Sequence, residues 1–271
     1  MPSSPILVTS RTNARVKQLR AAFAGHARLS GGMVAIEGEH LLQEAIRSGL
    51  PLKTIFVSER VGAPEWLPRG VELLFLADEV FASAVATQHP QGIAALLLPP
   101  RWEMAAKIAT DALFLVAAGL QDPGNMGTLI RSAEAFGATA VLTTQGTVSE
   151  WNQKALRASA GSVFRVPVVQ IASEELAALK ARGVRLLAAV APQDGASSVA
   201  EIDLTTACAL MVGNEGAGLD EEWLTLADAR ISIPTPGDVE SLNAAIAGSL
   251  LLYEASRQRD KTSMRNSAVE R

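Results

Sequence analysis

The second half of the sequence repeats one pattern, in which a short run of aliphatic or β-branched residues is followed by a helical stretch. The strand-like runs lie at 112–118, 139–143, 184–190, 207–213 and 229–233, and the helical stretches at 127–136, 151–160, 173–182, 219–227 and 240–257. Such strands, alternating with helices, favour a parallel sheet covered on both faces. Ligands bind beyond the carboxyl ends of the strands in sheets of this kind. The loops at those ends are therefore where we expect a site.

The first hundred residues carry a smaller version of the same α/β pattern. Strand-like runs lie at 33–38, 52–58, 71–76 and 92–98, and helical stretches at 12–24, 40–49 and 78–86. Two prolines at 99–100 and a change in the residue pattern after them then indicate a domain boundary. We predict an α/β protein with a small N-terminal domain at 1–98, a linker at 99–111, a parallel-sheet domain at 112–258 and a polar tail at 259–271. The composition of the tail predicts disorder.

The composition limits the classes of protein to which the chain can belong. Of the 271 residues, 48% are hydrophobic, which is enough for a sizeable core. No apolar run has the 18 or so residues of a membrane helix, and the first residues lack the order of a signal peptide. The only cysteine, Cys208, lies in an apolar strand-like run, so we expect a buried thiol and a reducing compartment. The chain is therefore predicted to be soluble and cytoplasmic.

The net charge of −4 argues against a simple polycationic binder, but the charges are unevenly distributed. The first 36 residues contain no acid and five basic residues, which are Arg11, Arg15, Lys17, Arg20 and Arg28. Several of these can share one face of the helix predicted at 12–24, where they could meet RNA phosphates. An ordinary solvated helix face is the alternative interpretation of the same charges.

Three loops of the second half are rich in glycine or proline and follow strand-like runs. They contain QDPGNMG at 121–127, GNEGAG at 213–218 and IPTPGDVESLN at 233–243. Glycines let a ligand approach the backbone, and the helix N-termini after such loops offer free N–H groups. The spacing fits neither a P-loop nor G-x-G-x-x-G, and G-x-S-x-G is absent. The three histidines are scattered and no cysteine pair exists, so we predict no metal site.

Five polar residues lie in these loops or just beyond them: Asn125, Arg131, Glu215, Ser241 and Asn243. Each has a structural explanation when it is taken alone. Arg131 could form a surface ion pair with Glu134, and Ser241 or Asn243 could cap the last helix. Parallel topology, however, would bring the three loops to one edge of the sheet. The set as a whole therefore favours a functional site.

These residues belong to longer stretches that resemble a known family. In order and spacing, QDPGNMGTLIRSAEAFGA, MVGNEGAGL and ISIPTPGDVESLNAAIAGSLLLYEASRQR resemble the three signature motifs of the SpoU (TrmH-like) RNA 2′-O-ribose methyltransferases of the SPOUT superfamily. The stretches SRTNARVKQLR, AIEGEHLLQEAI and ATQHPQGIAAL resemble the substrate-binding domain of many members. The resemblance implies a deep C-terminal trefoil knot, which general topology rules would not predict. It also implies S-adenosylmethionine as cofactor, RNA as substrate and a homodimer.

The resemblance also assigns roles to individual residues. It implies cofactor contacts at Gly213, Asn214, Gly216, Ile233, Leu242 and Asn243. It implies a catalytic set of Asn125, Arg131, Glu215, Ser241 and Asn243. One departure from the familiar third motif is Thr235, which follows Ile-Pro where a methionine is usual; the backbone turn survives this change.

The family assigns to the first-motif arginine, here Arg131, the task of helping the ribose 2′-hydroxyl to lose its proton. An arginine guanidinium stays protonated at neutral pH. We therefore expect Arg131 to grip the neighbouring phosphate and to stabilise developing alkoxide charge. A literal base is the alternative.

Several alternatives stay open at the level of sequence. The RNA could be ribosomal or transfer RNA, although members with this N-terminal domain lean towards large-subunit ribosomal RNA. A non-catalytic RNA-binding protein with a decayed site is a second interpretation. A nucleotide-dependent oxidoreductase and a SPOUT enzyme that methylates a base nitrogen are two others. The missing dinucleotide fingerprint argues against the oxidoreductase, and the Asn/Arg pattern of the first motif favours ribose over base.

The basic face near the N-terminus leads to a first prediction. If Arg11, Arg15 and Lys17 contact RNA phosphates, replacing all three by alanine should flatten the slope of log affinity against log salt by about 0.7 to 0.9 for each phosphate that is no longer neutralised. Fluorescence anisotropy between about 50 and 200 mM salt measures this slope. An unchanged slope would refute the role.

Overall fold

The computed structural model describes residues 7–26, 31–104, 108–192 and 195–269, with side chains described up to residue 260. The chain divides into two compact units. The first contains Met1–Arg101 together with Trp151–Phe164, and the second contains Trp102–Glu150 together with Arg165–Arg271. None of the helices in the described ranges has the length and hydropathy that crossing a bilayer requires.

The described part of residues 1–101 in the first unit forms a five-stranded sheet and three helices. The strands are β1 (Leu7–Val8), β2 (Val34–Glu37), β3 (Leu52–Ser58), β4 (Glu72–Leu76) and β5 (Ile93–Leu97), and the helices are α1 (Ala14–Phe23), α2 (Glu39–Arg47) and α3 (Asp78–Ala84). The strand order is β1-β4-β3-β5-β2, and β5 runs antiparallel to both β2 and β3. Helices α1 and α3 bury Val16, Leu19 and Phe81 against Phe56 and Leu96 of the sheet.

Residues 151–164 belong to the first unit, although they lie between strands of the second unit in the sequence. They form helix α5 (Gln153–Ser159) and a 3₁₀ turn. Gln153 Nε2 donates to the carbonyl of Ala35 at 2.9 Å. The Glu44 side chain fills the space beside Gly161, where an added Cβ would lie 2.6 Å from Glu44 Cβ. The sequence predicts the helix but places it in the domain at 112–258, because periodicity does not reveal which sheet a helix packs against.

The second unit is built on a seven-stranded sheet in which every neighbouring pair is parallel. Its strands are β6 (Leu113–Ala117), β7 (Ala140–Thr143), β8 (Val168–Gln170), β9 (Arg185–Ala189), β10 (Ser197–Ser198), β11 (Cys208–Val212) and β12 (Ala229–Ser232). Its helices are α4 (Pro123–Ala135), α6 (Ser173–Ala181), α7 (Glu221–Leu226) and α8 (Ala244–Val269). The order is β10-β12-β9-β11-β6-β7-β8. The predicted parallel sheet is confirmed, whereas the two- and three-residue strands β1, β8 and β10 were missed.

Helices cover both faces of this sheet. On one face, Leu176 of α6 and Trp223 of α7 join a cluster with alternate residues of the strands, among them Val116 and Met211. On the other face, α8 packs closely on α4 and β6, and a Cβ added at Gly248 would lie 2.5 Å from Leu129. Cys208 is fully buried, as predicted. Its burial raises the pKa of the thiol, which keeps it in the unreactive protonated form.

The C-terminal helix α8 continues to Val269, so the structure differs from the disordered tail predicted at 259–271. The apolar side of α8 is buried through Leu251 and Leu252. Arg259, on α8, then attaches the helix to the connections that precede β6 and β11. Its guanidinium donates to the carbonyls of Leu204, Asp111 and Thr206 at 2.9, 2.5 and 3.1 Å. The polar composition predicted disorder because the sequence does not show that an arginine has carbonyl groups within reach.

Candidate active site

Three polar side chains from the three predicted loops meet at the carboxyl ends of the strands. Asn125 lies in the first turn of α4, Glu215 follows β11, and Asn243 directly precedes α8. Asn125 Nδ2 donates to Glu215 Oε1 at 2.8 Å, and Asn243 Nδ2 donates to Asn125 Oδ1 at 3.1 Å. A continuous chain of hydrogen bonds therefore joins residues that are 90 and 118 positions apart in the sequence.

The two asparagines are held in place by the helices they introduce. Asp122 is the N-cap of α4, and its carboxylate accepts the Asn125 backbone N–H at 2.8 Å. Pro123 occupies the first turn, where its missing N–H costs nothing. Asn243 Oδ1 accepts the backbone N–H groups of Ala245 and Ile246 at 2.9 and 3.2 Å. Asn243 therefore caps the helix with its side-chain oxygen and donates to Asn125 with its side-chain nitrogen at the same time.

The loop at 213–218 folds back on itself and is tied to the first loop by Asn214. The backbones of Asn214 and Gly218 exchange two hydrogen bonds of 2.9 Å. Asn214 Oδ1 accepts the Gly216 N–H at 2.9 Å, and its Nδ2 donates to the Gly119 carbonyl at 3.0 Å. A Cβ on Gly213 would overlap the backbone of Gly218. Close approach of two backbone segments thus requires glycine at position 213.

A cavity of about 420 Å³ lies beside this loop, which is within the range of small-molecule and cofactor sites. The predicted residues that line it are Gly213, Asn214, Glu215, Gly216, Ile233, Ser241 and Leu242. Asn243 lies at the start of α8 and is not part of the lining. Glycine backbone and aliphatic side chains dominate the walls, so recognition of a ligand there falls largely to backbone N–H and C=O groups.

One wall of the cavity was not predicted from the sequence. Ala189, Val190, Ala191 and Pro192 form this wall at the end of β9. The signal was present, because a strand was predicted at 184–190 and its carboxyl end lies at the same edge as the others. It was overlooked because the loop carries no glycine or asparagine signature next to the strand. Thr235 and Glu240 are further polar residues of the lining that had no predicted role.

Arg131 lies on the exposed side of α4 and is not part of the cavity lining. Its predicted alternative partner, Glu134, forms a two-pronged ion pair with Arg165, with 3.0 Å between Arg165 Nη2 and Glu134 Oε2. Arg131 makes no hydrogen bond or ion pair with any residue in the described ranges. Its position, six residues beyond Asn125, is about 9 Å further along the helix axis. The guanidinium is therefore available to an external anion.

The basic residues predicted to contact RNA are only partly free. Arg11 pairs with Glu79 at 3.8 Å, and Arg15 Nε lies 2.9 Å from Glu72 Oε2. Lys17 is exposed and has no ion-pair partner in the described part of the chain. Exposed pairs of this kind are weak, so phosphates could still compete for the two arginines. Arg28, which the charge argument also included, lies outside the described residues.

Among the described residues, no group of three histidine, cysteine, aspartate or glutamate side chains is placed to hold a metal ion. The site instead consists of a cavity lined by glycine-rich backbone and of the hydrogen-bonded side chains Glu215, Asn125 and Asn243, at the carboxyl edge of a parallel sheet. These features define the class of α/β enzymes that bind a nucleotide-like cofactor at the strand ends.

Comparison with known families identifies the group within this class. A sequence profile of the SpoU rRNA Methylase family matches residues 112–253, which is over half of the chain. The profile of the MRM3-like substrate binding domain matches residues 13–95. The chain therefore belongs to the SpoU rRNA methylase family.

Individual relatives resemble the chain over nearly its whole length. The 23S rRNA (guanosine(2553)-2′-O)-methyltransferase RlmP of Bacillus subtilis is 37% identical over 247 residues, which cover 91% of this chain and 97% of the relative. The SpoU methyltransferase AviRb from Streptomyces viridochromogenes, solved in complex with AdoMet, is 29% identical with a TM-score of 0.79, over 91% of this chain and 98% of that one. An AdoMet-bound rRNA methyltransferase from Sinorhizobium meliloti is 29% identical with a TM-score of 0.80, over 93% and 97%.

The packing of Gly213 gives a prediction about the cavity. Gly213→Ala should weaken binding of S-adenosylmethionine, the cofactor that the motifs imply, by about tenfold or more, because the new methyl group displaces the 213–218 loop. Isothermal titration calorimetry measures this affinity. Gly237→Ala is the matched control, since nothing lies within 4 Å of its added Cβ and the residue does not line the cavity. Equal affinities for the two variants would contradict the assignment of this cavity to the cofactor.

Proposed function

We propose that this protein transfers a methyl group from S-adenosylmethionine to a ribose 2′-hydroxyl of ribosomal RNA, and that this RNA is the 23S RNA of the large subunit. The observation that carries the proposal is the hydrogen-bonded chain Glu215–Asn125–Asn243 beside the glycine-walled cavity, because it unites all three family motifs. The names of the relatives support ribosomal RNA, since RlmP and a Streptomyces viridochromogenes relative are both named as 23S rRNA 2′-O-methyltransferases. Transfer RNA is the alternative substrate.

The residues of the cavity fit the cofactor by their chemistry. Aliphatic walls that include Leu242 and Ile233 suit the adenine ring, and the exposed backbone of the 213–218 loop supplies hydrogen-bonding groups. Glu240 adds a carboxylate that can accept from ribose hydroxyls or from an amino group. When bound, S-adenosylmethionine supplies an electrophilic methyl group on a sulfonium. The chain's task is to exclude water from this group and to hold it in line with the RNA hydroxyl.

The polar residues divide the work on the RNA side. Arg131 can form a bidentate contact with the phosphate next to the target ribose and can stabilise negative charge that develops on the 2′-oxygen. Glu215 uses one carboxylate oxygen to hold Asn125, so its other oxygen can accept a hydrogen bond from a ribose hydroxyl. Asn243 fixes Asn125 from the opposite side. Ser241, in the cavity wall, offers a hydroxyl that can hydrogen-bond to the cofactor or to the RNA.

We also propose that the protein is a homodimer that uses α8. Ile246, Leu250 and Tyr253 are 53%, 42% and 51% exposed, and their spacing of four and three residues places them on one side of the helix. The ring of Tyr253 packs edge-on against Phe136, the C-cap of α4, at 5.7 Å, which extends the apolar surface to the end of a second helix. A stripe of this kind at the surface fits contact with a second copy.

We also propose that the second unit contains the trefoil knot. After β12 the chain passes along residues 233–243, several of which line the cavity together with the 213–218 loop, and then continues as α8 over β11 and α4. This return path supports the trefoil knot that the family resemblance implies.

A cytoplasmic location is proposed because ribosomal RNA is the proposed substrate and the chain's cysteine is a buried free thiol.

Transfer of labelled methyl groups to unmodified RNA tests the proposed reaction. Wild type should place label in one ribose, and Arg131→Ala should reduce the rate by about 100-fold or more while cofactor affinity stays unchanged. A 2′-O-methyl group blocks attack of the hydroxyl on the adjacent phosphate, so the labelled linkage should resist alkali. Arg182→Ala, which removes an exposed arginine from the opposite helical layer, is the control.

The other outcomes separate the alternatives. Near-normal rates for Arg131→Lys would exclude both bidentate roles of the guanidinium. Label in an alkali-sensitive linkage would indicate base methylation, and label confined to transfer RNA would change the substrate. Absence of both cofactor binding and label would favour a non-catalytic RNA-binding protein.

The exposed stripe on α8 gives a prediction about assembly. Leu250→Glu should convert a dimer into a monomer, because a charge would be buried at the centre of the contact. Size-exclusion chromatography with light scattering measures the mass. Thr225→Glu on α7 adds the same charge at an exposed position on the opposite face. Dimers of normal affinity for Leu250→Glu would disprove this interface.

A further inference from the structure

A second polar surface lies at one edge of the sheet in the first unit. The register places the carboxyl ends of β2 and β3 beside the amino end of β5. Three segments therefore converge there, which are Gly38 with the first two residues of α2 and the loops at 59–62 and 86–92. The neutral and basic side chains that these segments expose are His40, Arg60, Gln88, His89 and Gln91, and we call them the edge surface.

A buried carboxylate anchors the longest of the three segments. Glu37, at the end of β2, is only 8% exposed. Its Oε2 accepts the hydroxyl of Thr87 at 2.5 Å, and its Oε1 accepts the backbone N–H of Gln91 at 3.0 Å. Removing a carboxylate from water is costly unless hydrogen bonds compensate. Both compensating donors come from the 86–92 loop, so the burial of Glu37 fixes that loop at two points.

Packing holds the same loop from its other sides. Gly38 has φ 100°, and the space where a Cβ would stand is taken by the Gln91 side chain, whose Oε1 lies 2.5 Å from that point. Gly92 packs in the same way against Val61. Arg60 Nη2 donates to the carbonyl of Pro90 at 2.9 Å. The 59–62 and 86–92 loops are therefore held against each other and against the start of α2, although neither loop contains regular secondary structure.

The chemistry of the edge surface differs from that of a phosphate-binding surface. It carries two imidazoles, two amides and one guanidinium, with no lysine. Two exposed acids, Glu39 and Glu59, lie at the same edge, and each accepts one hydrogen bond, from Gln43 and from the Asp78 N–H. Their negative charge disfavours a phosphate group there. Amide and guanidinium groups match the donor and acceptor patterns of base edges. Imidazole rings stack on unpaired bases, which is how proteins read single-stranded RNA.

We propose that the edge surface reads unpaired bases in a loop of the RNA substrate, and that Glu37 is a positioning residue which holds the 86–92 loop in its reading conformation. The proposal rests on the proposed function, because it needs RNA as the substrate. It assigns a different task to each surface of the first unit. The basic residues of α1 would contact phosphates and supply affinity, whereas the edge surface would supply selectivity.

The test uses the full chain, S-adenosylmethionine and in vitro transcribed 23S ribosomal RNA. The double variant Gln88→Ala/His89→Ala should raise the KM for RNA by about tenfold for each base that is no longer bound, with the cofactor affinity unchanged. The slope of RNA affinity against salt should also be unchanged, because the variant keeps every phosphate-binding group. His26→Ala, an exposed histidine beyond α1, and Lys53→Ala, an exposed cation on β3, are the matched controls.

Glu37→Gln tests the positioning role separately. The substitution keeps the size of the side chain but turns an amide N–H₂ towards one of the two loop donors. It should raise the KM for RNA as the double variant does, with an unchanged salt slope and unchanged cofactor affinity. If Glu37→Gln fails to fold, the exposed double variant still decides the question.

Each result either supports or overturns the proposal. A KM for the double variant equal to that of the controls overturns it. A flattened salt slope also overturns it, because this would show phosphate contacts in place of base reading. If wild-type protein binds cofactor yet neither binds nor methylates this RNA or total transfer RNA, the proposed function fails and takes the edge-surface proposal with it. Normal methylation with insensitive variants defeats the edge-surface proposal alone.

Discussion

The side-chain amide of Asn125 is the interaction on which the candidate active site depends. A carboxylate only accepts hydrogen bonds, so Glu215 determines that the N–H₂ end of Asn125 faces it. The oxygen of Asn125 then faces Asn243, whose own oxygen must accept the first N–H groups of α8. The orientations of both side-chain amides, those of Asn125 and Asn243, therefore follow from the charge of Glu215. Aspartate at position 125 would repel Glu215, and leucine would leave two loops without a link.

Much of this arrangement follows from the sequence because its causes are local or topological. Apolar runs that alternate with helices determine a parallel sheet, and a parallel sheet brings its strand-end loops together. The convergence of Asn125, Glu215 and Asn243 could therefore be predicted without any contact being known. The cap at Asn243 was predicted as an alternative to a site role, but the geometry combines both, because an amide has a donor and an acceptor.

Other features could not be predicted because they depend on partners that are distant in the sequence. The acids that neutralise Arg11 and Arg15 come from α3 and β4, more than fifty residues away. The carbonyl groups that hold Arg259 belong to two separate connections before β6 and β11. The shortest strands escape detection because two or three residues carry no periodicity. In each case the pattern of one segment is insufficient, since the neighbour decides the outcome.

The discontinuous first unit has a consequence for how the protein is made. Its sheet is complete after β5, but α5 and the turn that follows it arrive only when residue 164 has been synthesised. By then the ribosome has already produced β6, α4 and β7 of the second unit. Domains that are continuous in sequence can fold one after the other during synthesis. This chain cannot finish its first unit before it begins the second, so a partly translated first unit leaves the carbonyl of Ala35 without the side chain of Gln153.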